Sequence, residues 1–293
     1  MNLLEFIATN KIILLDGAMG TQLAAAGFEM GGVSNILHPE GVLAIHQKYL
    51  ASGVDIIFTN TLTMNRAFIE AHKVNVDVRE VNLAGVRIAK KAVHAGQYVL
   101  GDISSTGRLL KPYGDLPVEE AYKSFKEQAT LLAEGGVDGF IIETMFDLEE
   151  ALCALRACRE VSGLPVMVTI SFNTAKNGGR TIMGNCAQDC ARKLTDAGAS
   201  AIGANCGNID PSQSAEIVTK IKEVSSLPIV VKPNAGRPKV IDKKIVFEMS
   251  PADFASGVQQ CLRAGASLVG GCCGTSPAHI RVLAELVGKG PTL

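Results

Sequence analysis

The segment Leu268-Val269-Gly270-Gly271-Cys272-Cys273-Gly274-Thr275 sets two adjacent thiols at the end of an apolar, strand-like run. Neighbouring cysteines do not easily close a disulfide on each other, because the ring strains the peptide between them, whereas both thiolates can bind one tetrahedral zinc. A third thiol, Cys206, stands in the same setting within Ala201-Ile202-Gly203-Ala204-Asn205-Cys206-Gly207, an apolar run ending in a small-residue turn. Three thiolates leave one coordination position open, the arrangement of a catalytic rather than a closed structural zinc site. The alternative is three buried, inert cysteines, a common fate for this residue. Neither a CxxC nor an HxxxH is present to reinforce the metal reading. Of the remaining thiols, Cys153, Cys158 and Cys261 fall in helical patterns and are expected to be core or surface residues. Cys186 and Cys190, four apart, are a weaker metal pair on one helical face.

A chain of 293 residues, 47% hydrophobic and 19% charged, can bury a large core to hold such a site. Its length fits one α/β barrel, which typically runs to about 250 residues as a single unit. The net charge of -1 offers no electrostatic case for nucleic acid or an anionic membrane, so small molecules or another protein are the expected partners. The acidic start, Met1-Asn2-Leu3-Leu4-Glu5-Phe6, lacks the basic opening of a secretory signal, and the apolar runs fall short of the roughly 18 residues of a membrane span. A cytoplasmic protein is expected. Eight cysteines in this length are too sparse for a disulfide scaffold.

The elements that must position the thiols follow from the apolar pattern. Strands are expected over 12–15, 54–58, 98–103, 137–142, 165–172, 200–205, 229–232 and 266–269. Helices are expected over 39–52, 76–95, 118–134, 147–162, 186–197, 212–224, 251–264 and 277–287, with Asp147 a possible N-cap. The loop at 108–117 is long enough to cover a site, and the stretch after Lys232 reads as a polar loop to Lys244. Helix-to-strand phrases such as Ala51-Ser52-Gly53-Val54-Asp55, Glu134-Gly135-Gly136-Val137-Asp138 and Arg263-Ala264-Gly265-Ala266-Ser267 recur, marking one turn reused around a ring. Strict alternation of near-continuous apolar strands with helices predicts a single (β/α)8 TIM barrel spanning 1–293. A doubly wound open sheet is the competitor, although no GxGxxG follows the first strand.

In a barrel the active site lies at the carboxyl ends of the strands. Here those ends carry Asp16, Thr59 to Thr61, Asp102, Glu143, Cys206, Asn234 and Cys272-Cys273. A metal with three anionic sulfurs is a poor Lewis acid, so holding a fourth thiol as thiolate is more natural than activating water, and the implied reaction is alkyl transfer to sulfur. Asp16 and Glu143 could bind an ammonium, while the Gly17 to Thr21 turn with Thr61 could hold a carboxylate; together these describe an amino-acid thiol. Either carboxylate could instead cap a helix or pair with a lysine.

Five motifs, in order along nearly the whole chain, resemble the homocysteine S-methyltransferase family: Leu15-Asp16-Gly17-Ala18-Met19-Gly20-Thr21, Thr59-Asn60-Thr61, Ile142-Glu143-Thr144, Gly203-Ala204-Asn205-Cys206-Gly207 and Gly270-Gly271-Cys272-Cys273-Gly274-Thr275. The resemblance implies a zinc barrel with Cys206, Cys272 and Cys273 as ligands, and homocysteine bound through its sulfur to Zn2+ and through its amino group to Asp16 and Glu143. Asn234, in Lys232-Pro233-Asn234-Ala235-Gly236, resembles the residue that takes the open zinc position without substrate. The compact chain is similar to the homocysteine module of cobalamin-dependent methionine synthase, which implies methylcobalamin on a separate corrinoid protein as methyl donor. A small sulfonium or betaine donor is the alternative, although the absence of Trp and the scarcity of Tyr leave no aromatic cage legible for a quaternary ammonium. A zinc or thiol redox-sensing barrel without turnover is the competing function class.

Overall fold

Apolar runs with no polar alternation can lie only where both faces are covered, and these runs form eight parallel strands wrapped by helices. The computed structural model describes residues 1–241 and 244–290. Its strands are β1 (Ile13–Leu14), β2 (Ile56–Phe58), β3 (Tyr98–Ile103), β4 (Gly139–Met145), β5 (Val166–Ile170), β6 (Ala201–Asn205), β7 (Ile229–Lys232), a short hairpin of β8 (Lys239–Ile241) and β9 (Lys244–Val246), and β10 (Leu268–Val269). The parallel sheet runs β1-β10-β7-β6-β5-β4-β3-β2. Its two ends meet through a parallel bridge between Leu15 and Ile56. The Asp55 N–H donates to the Leu14 carbonyl (2.9 Å) and the Asp16 N–H to the Ile56 carbonyl (3.2 Å) across this seam. The sheet is therefore a barrel rather than the open, doubly wound alternative.

Period-two side-chain geometry divides the core into two shells. Ile13, Ile56, Leu100, Ile141, Met167, Val230 and Leu268 pack together inside the barrel. Leu14, Ile57, Val99, Ile142, Val168, Ile202, Val231 and Val269 face the surrounding helices. Continuing the inward parity by one step from Leu100, Ile141, Met167 and Val230 reaches Asp102, Glu143, Thr169 and Lys232, all buried. The layer that ends the apolar interior is thus polar and charged.

The major helices follow the expected ones closely: Val118–Glu134 and Pro251–Ala264 coincide with them, and Asp147 caps Leu148–Val161 by accepting from the Glu149 N–H. Several short elements interrupt the simple alternation. Leu3–Thr9, fixed by an Asn2/Glu5 capping box, buries Leu3 and Ile7 in the inner cluster and so closes the amino-terminal end of the barrel. Gly20–Ala25, Ser34–Leu37 and Arg66–Ala71 lie in the loops after β1 and β2, too short to show a helical period in the sequence. The β8–β9 hairpin occupies the loop expected to be polar to Lys244. Its β-branched Val240, Ile241, Ile245 and Val246 favour strand. Residues 242 and 243 of that loop, and 291–293 of the expected domain, lie outside the described residues.

Candidate active site

Each thiol of the triad sits just past a strand end. β6 stops at Asn205, and Cys206 and Gly207 follow with φ of 54° and 76°. The Cys206 N–H donates to the Lys232 carbonyl (3.1 Å), the Cys272 N–H to Pro233 (2.8 Å) and the Ala235 N–H to Cys273 (3.0 Å). These bonds stitch together the loops after β6, β7 and β10. The three sulfurs all lie within 4.8 Å of one another, with Cys206 Sγ and Cys273 Sγ 3.9 Å apart. Two sulfurs on a tetrahedral centre with ~2.3 Å bonds stand about 3.8 Å apart, so the donor set fits a zinc ion with little rearrangement. Beside them, Asn234 donates its Nδ2 to the Gly207 carbonyl (3.0 Å). Its buried Oδ1 has no hydrogen-bond partner among the described residues, the kind of orphan acceptor that a cation would satisfy.

Contacts among the thiols, together with burial, leave their proton affinity raised. At Cys206 the contact with Cys272 lowers it, but the contact with Cys273 and burial prevail and push the thiol up to about 12. A contact with Cys206 heads the causes that push Cys272 well above the ordinary thiol range. A metal bound here would therefore have to displace protons. The other buried cysteines lie apart from the triad, with burial pushing Cys153 to about 11 and Cys190 and Cys261 to about 12, as expected of inert core thiols. Cys186 is the N-cap of the helix Ala187–Asp196 rather than a member of it. Among the described residues only Cys206, Cys272 and Cys273 form a metal-sized group.

Next to the thiols stands a buried ionic cluster. Lys232 Nζ lies 3.3 Å from Asp16 Oδ1 and 3.1 Å from Glu143 Oε2, with its ammonium 3.6 Å from the centre of the Phe58 ring. Burial alone would lower the Lys232 ammonium, but Glu143 and Asp16 together leave it raised. Burial raises Asp16 to about 6, against the opposing pull of Lys232 and of the Phe58 N–H that donates to it at 2.8 Å. Asp16 and Glu143 thus pair with a lysine, and they also line a cavity of about 420 Å³.

That cavity is bounded by the Gly17 to Thr21 turn, by Thr59, Asn60, Leu62 and Thr63 after β2, by Asp102, Glu143 and Lys232, and by Cys272 and Cys273. Gly17 admits no side chain, since a Cβ there would lie 2.7 Å from the Tyr49 ring and hydroxyl and 2.9 Å from Thr275 Oγ1. Tyr49 donates to the Ala18 carbonyl (2.7 Å) and the Ala18 N–H donates to Thr275 Oγ1 (3.0 Å), which binds the turn to the thiol loop. The helix Gly20–Ala25 opens from this turn without a side-chain cap among the described residues. Thr61 is fully buried and sits behind the wall: its hydroxyl donates to the Asp102 carbonyl (2.8 Å) and shares a bond with Thr59 (2.7 Å).

Two residues of this site escaped the reading from sequence. Lys232 was legible as the end of β7 but not as the partner of both acids, and the signal was its inward parity in line with Val230. Asn205 was legible only as the residue before Cys206; its amide Nδ2 lies 3.8 Å from Cys272 Sγ.

A family model described as homocysteine S-methyltransferase matches residues 13–287. Two methionine synthases, from Mycobacterium leprae and Mycobacterium tuberculosis, are each 28% identical over 98% and 97% of this chain and 25% of their own length. The chain therefore spans about a quarter of the length of the curated relatives it matches. Its fold is similar to that of the homocysteine methyltransferase MmuM from Escherichia coli in its metallated form, with TM-score 0.78 and 21% identity over 96% of this chain and 98% of that one. The carboxyl transferase domain of Rhizobium etli pyruvate carboxylase is a more distant likeness in fold, with TM-score 0.56 and 15% identity over 96% of this chain and 48% of that one.

Proposed function

The chain belongs to the homocysteine S-methyltransferase family of enzymes, and from that membership we propose that it transfers a methyl group to the thiol of homocysteine, giving methionine, in a zinc-dependent reaction. The observation that carries this reading is the convergence of the Cys206, Cys272 and Cys273 sulfurs within 4.8 Å at the edge of a cavity lined by Asp16 and Glu143. We assign Cys206, Cys272 and Cys273 as the zinc ligands, with Asn234 as the fourth ligand without substrate. When bound, zinc would supply the acceptor sulfur as a thiolate at neutral pH, with the sulfur-rich ligand set preserving its nucleophilicity.

The chain's own residues do the rest. Asp16 and Glu143 receive the ammonium of the acceptor, and the leading amides of Gly20–Ala25 receive its carboxylate. Gly17 lets that backbone come close. Thr61 acts one step back, holding the β3 end against which the substrate lies. Met19, Met30, Phe58 and Met64 give the cavity an apolar wall for the methylene chain and for an incoming methyl group.

The proposed donor is a methyl-corrinoid, supported by similarity to methionine synthases along almost the whole chain. We further propose that residues 1–293 act as one barrel domain in the cytoplasm; no helix among the described residues is long and apolar enough to cross a membrane. Zinc-loaded protein mixed with homocysteine and, separately, methylcobalamin, S-methylmethionine or betaine tests the reading by the methionine formed. Methionine from methylcobalamin alone is expected. Methionine from one of the small donors alone would replace the corrinoid, and none from any donor would leave a non-catalytic zinc or thiol barrel.

A further inference from the structure

Three carboxyls line the cavity, but the single lysine among them pairs with only two. Lys232 holds Asp16 and Glu143, while Asp102 makes no ion pair and no side-chain hydrogen bond among the described residues, and its buried Oδ1 is without a partner. The residue is only 6% exposed. Its position is nevertheless tightly set. The Asp102 N–H donates to Thr59 Oγ1 (2.9 Å) and its carbonyl accepts from Thr61 Oγ1 (2.8 Å), so both sides of its backbone are clamped by the loop after β2. A rigidly placed, unpartnered acid in a substrate cavity is a group waiting for a cationic ligand.

We propose that Asp102 is the third carboxyl of the amino-group site, pairing with the ammonium of the acceptor and making the site selective for an amino-acid thiol over the same thiol without its amino group. This rests on the reading of the cavity as an amino-thiol site. Lys232 is one cation already shared by two carboxyls. A third carboxylate in the same buried space requires another cation. Facing Asp102 are Glu143 from β4, Asp16 from the end of β1 and Lys232 from β7; burial first, then Glu143, hold its carboxyl well above the usual range, against the pull of Lys232. Burial thus favours the protonated form of Asp102 until a cation arrives. As the ammonium arrives, the Asp102 O–H bond breaks, the carboxylate pairs with the ammonium and the proton passes to the buffer.

Calorimetry on zinc-loaded protein, in two buffers of different ionisation heat, tests this with homocysteine and with 4-sulfanylbutanoate, which is homocysteine without the amino group. The native chain is expected to prefer homocysteine by about tenfold or more and to release one more proton with it. In Asp102→Asn the preference and the extra proton should both vanish, while 4-sulfanylbutanoate binds within about twofold of the native value. Asp102→Ser should give the same loss of preference, which guards against a folding defect peculiar to one variant. Retained preference in variants with normal zinc content overturns the proposal alone, and so does an equal loss of both thiols. Failure of the native protein to bind either thiol removes the amino-thiol reading, and this proposal with it.

Discussion

Thr144 and Asn205 hold each other twice: the Thr144 N–H donates to Asn205 Oδ1 and Asn205 Nδ2 donates to Thr144 Oγ1, each at 2.7 Å. Thr144 directly follows Glu143, and Asn205 directly precedes Cys206. Both Thr144 and Cys206 are non-glycine residues in the left-handed region, with φ of 62° and 54°. Such a conformation costs about 1–3 kcal/mol and persists only where its surroundings enforce it. Here a third bond, from Thr169 Oγ1 to Asn205 Oδ1 (2.8 Å), completes the brace. One amide therefore couples the turn carrying the carboxylate to the turn carrying the thiol.

Asn205→Ala is predicted to lower unfolding stability by about 1–3 kcal/mol, because the buried Thr169 and the half-buried Thr144 lose their partner. It should also weaken zinc retention and homocysteine binding together, since both turns relax. Urea unfolding and calorimetry check this. A stability loss that leaves both affinities at native values would show that the brace matters for folding only.

Cys206→Ser and Glu143→Ala should separate the two halves of the site. A serine hydroxyl does not ionise at neutral pH, so Cys206→Ser should retain less than about a tenth of the zinc after dialysis against a chelator, measured as metal per chain. Glu143→Ala should keep its zinc and bind homocysteine more weakly. Full zinc in the first variant would remove Cys206 from the ligand set, and unchanged affinity in the second would remove Glu143 from the amino-group site.

Lys232→Met leaves Asp16 and Glu143 buried without their cation, a loss predicted at about 3–5 kcal/mol above neutral pH. The sign with pH follows from Asp16, which burial raises from 3.8 to about 6 even with Lys232 present. A carboxyl that binds its proton more tightly when folded gains stability as pH falls through the folded value, so the deficit of the variant should shrink between neutral pH and about pH 5. Unfolding at several pH values measures it; a deficit that stays constant or grows toward acid contradicts the assignment.

His46 lies fully buried in the helix Pro39–Leu50 with neither ring nitrogen hydrogen-bonded among the described residues, and burial lowers it from 6.5 to about 4. Between those values the unfolded chain takes up a proton that the folded imidazole refuses, so stability is present above pH 6.5 and is lost as pH falls toward 4. The contribution is about 3 kcal/mol. His46→Leu should remove this part of the acid slope, read as the difference between native and variant unfolding free energies at neutral and acidic pH. Parallel pH profiles would mean that the ring is solvated in the folded protein.

Much of the architecture is local and was readable in the chain. Apolar β-branched runs, the repeated helix-to-strand turn and the thiols at two strand ends follow from residue type and spacing alone. Short features were not, because six residues such as Gly20–Ala25 carry too little periodicity. The Asn2/Glu5 box is a local signal too, but it fixes a helix of only seven residues.

What the linear order determines is which residues stand at the carboxyl ends of strands, because that depends only on where each apolar run stops. Which of them touch depends on how the strands close and stagger. Lys232 meets Asp16 and Glu143 across 216 and 89 residues, and Thr61 is drawn behind the cavity wall rather than into it. Those relations arise from barrel closure and inward parity, which are properties of the folded sheet and not of any one segment.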